Sequence, residues 1–238
     1  MTYGLQSTSA ASGPDLRVEE VEIALASHID ASDEMQGDIA PSPDKDTGPA
    51  IDITLRNSGN APALIVNAVF SFTRATQLSS CPGGAGGLVS SAEYDVKVPT
   101  AMPIAVNNPF AIDRDMRFIV NANSIDRFRI SVGPDRYSDG EEWPWIYEFD
   151  LSLVEDNGQK LDLGPMTILG FSHPARDPFS WDPLSSLTEA QLASNQQVSC
   201  VGHDAAELSH AMANPGLHSP ALQTMYREAE RLVANAPS

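Results

Sequence analysis

AIDITLRNSGNAPALIVNAVFSFTR, residues 50–74, is two runs of alternating polarity joined by a polar turn. Ile51, Ile53 and Leu55 alternate with Asp52, Thr54 and Arg56, the period-2 pattern of a strand with one buried face. After Asn57-Ser58-Gly59-Asn60, the residues Leu64, Val66, Ala68, Phe70 and Phe72 share one parity and predict a second strand. Asn57, Gly59 and Asn60 suit a turn with positive φ, and Pro62 stops ladder pairing before that strand begins.

Outward from this pair the same period recurs. Leu16 and Val18, then Val21, Ile23 and Leu25, swap parity across Glu19-Glu20, which predicts a strand with a bulge. Short alternations follow at 92–98, at Met116, Phe118 and Val120, and at Phe128, Ile130 and Val132. The longest places Trp145, Tyr147, Phe149, Leu151 and Leu153 on one face, with Glu148, Asp150 and Ser152 opposite. Asp156-Asn157-Gly158 supplies a hairpin turn into Leu161 and Leu163, and Met166, Ile168 and Leu169 close the sheet region. Eight or nine strands between 16 and 170, with no helix-period run among them, predict an all-β, two-sheet sandwich.

The turn LRNSGNAPA resembles the N-x-G-x-x-x-A turn of immunoglobulin-like sandwiches of the bacterial adhesion-module type, the CARDB-like family. That resemblance implies a sandwich used for binding or spacing and supplies no catalytic residue.

The flanks divide the chain further. Residues 1–15, rich in Ser, Ala and Gly, read as an arm, 16–171 as the sandwich, and 172–186 as a Pro/Asp-rich linker carrying Phe179 and Trp181. Residues 187–238 read as a helical extension. Within it, 187–197 and 204–213 predict two short helices, the second capped by Asp204 with Glu207. In the last helix Ser219 caps, Pro220 takes the first position, and Leu222, Met225, Tyr226, Ala229, Leu232 and Val233 form an apolar stripe suited to the sandwich or to a partner's groove.

The formal charge is −18, from 32 acids against 14 bases, with lysine only at 45, 97 and 160. Such a field repels phosphate backbones and anionic membranes, so no nucleic acid is expected as a partner. No apolar run approaches the roughly 18 residues that span a bilayer, so no membrane insertion is expected. The N-terminal residues lack a basic and apolar leader pattern, which predicts a cytoplasmic location. Cys81 and Cys200 match neither a CxxC spacing nor a disulfide framework and read as free thiols.

No motif assembles an enzyme. The Gly-rich stretch around 83–87 has no Lys and precedes no helix, G-x-S-x-G is absent, and Cys81 has no nearby His. His203, Glu207 and His210 would align on one continuous helix as possible metal ligands, but a cap at Asp204 would break the alignment. No cofactor is expected.

Two binding candidates remain. Arg127 and Arg129 share one strand face near Arg114, Arg117 and Arg136, and either bind an anion or pair across strands with Glu148 and Asp150. DRYSDGEEWPW, residues 135–145, sets Asp135, Asp139 and Glu141 as calcium-type oxygen ligands beside Tyr137 and Trp143, which suit sugar stacking; Trp145 has core parity. The sequence therefore predicts a non-catalytic interaction or assembly subunit that docks a protein partner or a second copy through the sandwich and C-terminal helices. The alternative is a carbohydrate-binding or calcium-dependent sandwich.

Overall fold

The computed structural model of the protein describes residues 13–29, 32–33, 46–78, 93–99, 109–134, 136–137, 144–170 and 196–234. Strands β1 (Leu16–Ile29), β3 (Asp46–Asn57), β5 (Glu93–Val98) and β7 (Ser124–Pro134) form a four-stranded sheet in the order β1-β3-β7-β5. Strands β4 (Ala63–Gln77), β6 (Phe110–Val120), β9 (Trp145–Glu155), β10 (Lys160–Gly170) and β11 (Leu217–His218) form a second, ordered β11-β10-β9-β4-β6. Pairing is antiparallel except β5 with β7 and β11 with β10. A small parallel bridge joins β2 (Ser32–Asp33) to β8 (Arg136–Tyr137). Helices α1 (Gln196–Ala213) and α2 (Pro220–Ala234) follow, so the chain is a two-sheet sandwich with a short helical C-terminal part.

The inner faces follow the alternation. Ile51, Ile53 and Leu55 from β3 meet Phe70 and Phe72 from β4, and Tyr147, Phe149, Leu151 and Leu153 from β9, all buried. Phe72 is the hub of the aromatics, with its ring centroid 4.7 Å from Phe110, 5.1 Å from Phe149 and 6.2 Å from Phe70. Between the sheets, Phe118 of β6 reaches Phe128 of β7 at 4.6 Å. Each such side chain, fully buried, is worth about 2–3 kcal/mol of apolar transfer.

Bulges decide which residues face inward. The expected shift in β1 lies between Val18 and Glu20, and Glu19 is tied outward to Arg56 of β3, whose hydrogen bond holds the Glu19 carboxyl below its ordinary range. A second shift, between Ile65 and Asn67, corrects the pattern expected for β4. The extra residue moves Ala63 and Ile65 into the core with Ala68, Phe70 and Phe72, while Leu64 and Val66 are only half-buried. β4 lies beside β9 in the same sheet, with Phe70 opposite Leu151 and Phe72 opposite Phe149.

The helices cover part of the outer face of the five-stranded sheet. Leu78, Ile146 and Leu169 form a second core with Leu208 and Ala211 of α1 and Ala221, Leu222, Met225 and Ala229 of α2. Ser219 does two jobs at this junction: its Oγ accepts from the Leu222 amide at 3.2 Å, capping α2 as expected, and from the Leu169 amide at 3.1 Å. Its own N–H donates to the Thr167 carbonyl at 3.0 Å. One expectation fails here. Helix α1 is continuous from Gln196, so Asp204 lies inside it, buried, and is not a cap. Residues 187–195 lie outside the described residues.

Candidate functional site

The two ends of the sandwich are built differently. At one end the connections are short: 58–62 joins β3 to β4, 121–123 joins β6 to β7, and 156–159 joins β9 to β10. At the other, β1, β4, β5, β7 and β10 all finish and β3, β6 and β9 begin, so the connections spanning 30–45, 78–92, 99–109, 135–144 and 171–195 leave from that end.

Asn57 ties the short end together. Fully buried, it donates through Nδ2 to the carbonyls of Ala61 at 2.8 Å and Val120 at 3.0 Å, and accepts at Oδ1 from the amides of Gly59 at 3.0 Å and Asp15 at 3.1 Å. A Cβ added to Gly59 would stand 2.2 Å from the Gly13 oxygen and 2.5 Å from the Asp15 nitrogen. Positive φ was the expected reason for Asn57, Gly59 and Asn60, yet among the described non-glycine residues only Asn123 has it, and Gly59 does not. The turn needs asparagine for its four hydrogen bonds and glycine for close backbone approach.

The long-connection end holds the 135–145 candidates. Trp145 is buried, as its parity requires, and stacks on Tyr147 with centroids 6.1 Å apart and planes 9° from parallel. Tyr147 in turn closes on Gly170, where a Cβ would sit 2.6 Å from its ring. Tyr137 belongs to β8, and its backbone pairs with Asp33 of β2, so the β2 residues between β1 and β3 are held to residues 136–137 after β7. Asp135, Asp139, Glu141 and Trp143 lie outside the described residues, as do Phe179, Trp181 and Cys81.

The arginines sort differently from expectation. Arg129 pairs with Asp52 of β3 at 2.9 Å and Arg127 approaches the same carboxylate at 3.7 Å, on the outer face of the four-stranded sheet. Glu148 and Asp150, the expected partners, are on the other sheet, as are Arg114 and Arg117, so the cluster seen in sequence is divided by the fold. Arg129 is thereby occupied in cross-strand pairing, while Arg127 keeps a side chain 68% exposed.

Glu148 instead meets Arg74 of β4 at 3.2 Å, and Arg74 also pairs with Glu207 of α1. This triad sits where the helices cross the sheet. Glu207 is thus turned toward the sheet, while His203 and His210, on the same continuous helix, are exposed. Among the described residues no group of three or more His, Cys, Asp or Glu could hold a metal. Leu222, Met225 and Ala229, expected as a docking stripe, are spent on the chain's own second core, with Tyr226 packed beside it and Val233 exposed. The side chain of Leu232 lies outside the description. Neither the triad nor the double bonding of Ser219 has a sequence signature, since each depends on which helix residue lands on which strand.

No family model matches the chain, and no curated protein matches it. Among solved structures it is similar to a Northeast Structural Genomics Consortium target at 13% identity, covering 64% of this chain and 84% of that one with a TM-score of 0.29. It is also similar to a Bordetella pertussis chain carrying the ApaA name at 10% identity, covering 68% and 97% with a TM-score of 0.28. Similarity at this level carries no argument about function.

Proposed function

We propose that the protein is a non-catalytic interaction or assembly subunit built on an immunoglobulin-like sandwich, and that it meets a protein partner or a second copy with its long-connection end. The observation that carries this reading is the segregation of connections: five long ones leave from one end while Asn57 and short turns close the other. Binding residues concentrate on loops held by a rigid scaffold, and sandwiches of this class present them at one end. Leu222, Met225 and Ala229 of α2 are withdrawn as a docking surface, because the chain's own sheet and α1 cover them. Strand addition at β6 is disfavoured by exposed Asp113, Arg114, Asp115 and Arg117 and by the register shift opposite Ile65 and Asn67.

Strand order supports the immunoglobulin-like part. β1-β3-β7 corresponds to A-B-E, and β10-β9-β4-β6 to G-F-C-C′. β5 departs from it by running parallel to β7. The net charge of −18 argues against nucleic acid as the partner.

The test is to replace 34–44 and 138–143 with short Gly/Ser linkers and isolate the full-length variant from its native host beside the wild type. The reading predicts an unchanged melting temperature and loss of the co-isolated partner. A partner retained by this variant, yet lost on reversing the exposed charges Arg227 and Glu230 of α2, would overturn it.

The β2–β8 bridge favours a second reading, a calcium-dependent or carbohydrate site, because it aligns Asp33 with Tyr137 beside the segment carrying Asp135, Asp139, Glu141 and Trp143. Calorimetric titration with calcium and a glycan array decide it. A signal abolished by Trp143→Ala supports the reading, and no signal with the wild type removes it.

A further inference from the structure

We draw no further inference here: the strongest candidate, the half of the outer face of the five-stranded sheet that the described residues leave uncovered, where Asp113, Asp115, Asp150 and Asp162 surround Val69 and Val154 beside the exposed Ile119, is an acidic cluster on an apolar patch, and nothing in the structure shows what covers it.

Discussion

Replacing Asn57 with alanine removes four hydrogen bonds at the short-turn end without touching the apolar core. At a net 0.5–1.5 kcal/mol each, their loss costs about 2–6 kcal/mol. The upper half of that range is expected, because the bonds to Val120 and Gly59 are buried and their backbone partners are left without a replacement. About 4 kcal/mol is a large share of the roughly 5–15 kcal/mol that holds a typical domain. Guanidinium unfolding followed by tryptophan fluorescence, with buried Trp145 as reporter, reads it directly. With the slope of a domain this size, the midpoint falls by about 1 M. Asn57→Asp separates the two halves of the side chain: it keeps the acceptor for Gly59 and Asp15 but turns an anionic oxygen toward the Ala61 and Val120 carbonyls. It is therefore as damaging as alanine at neutral pH and recovers in acid. Asn60→Ala, on the exposed side of the same turn, changes the midpoint little. If Asn57→Ala lies within about 1 kcal/mol of wild type, the account of this end is wrong.

Other consequences follow from the helix-covered face and from one buried acid. Ser219→Ala removes a cap worth about 1 kcal/mol and strands the buried Leu169 amide at about 1–3 kcal/mol more, so amide exchange in α2 should accelerate before the β9 amides respond. Arg74→Ala leaves Glu148, only 7% exposed, without its partner and costs about 3 kcal/mol; adding Glu148→Ala should return part of that loss, and a strictly additive double mutant would contradict the triad. Glu155 is 3% exposed, and burial, helped by the Asp156 charge, raises its pKa above the ordinary 4.5. Its favourable contribution is therefore complete below the unfolded-state value and is lost as pH rises through the folded-state value. Glu155→Gln should exceed wild type in stability at pH 7, with the advantage shrinking toward pH 4; an advantage independent of pH would show that Glu155 does not titrate abnormally.

Much of the fold was legible because a strand with one buried face writes its period into the sequence. The β9 run from Trp145 to Leu153 has no insertion and lies on the core face as its parity requires, and the parity swap at Glu19-Glu20 marked a real bulge. In β4 the apolar residues Leu64, Ile65 and Val66 are consecutive, so either parity fitted, and the bulge that selects Ile65 left no mark. Helix α1 was split because Asp204 and Glu207 imitate a capping box; the fold instead buries Asp204 and directs Glu207 to Arg74. Proximity in sequence also misled for Arg114, Arg117, Arg127 and Arg129, since the 121–123 turn crosses between sheets and sends two of them to each. The stripe on α2 is plain in the sequence, but a stripe cannot say whether its cover belongs to the same chain.

The three lysines give the most direct test of the proposal that a partner is met at the long-connection end. Lys97 is exposed near the end of β5 at the long-connection end, and Lys45 is the residue before β3 in the sequence, a strand that begins at that same end, whereas exposed Lys160 begins β10 at the short-turn end. Amine-reactive cross-linking of the full chain isolated with its partner, mapped by mass spectrometry, should yield links from Lys45 and Lys97 and none from Lys160. Links to the partner that run from Lys160 while Lys45 and Lys97 stay unlinked would contradict the account.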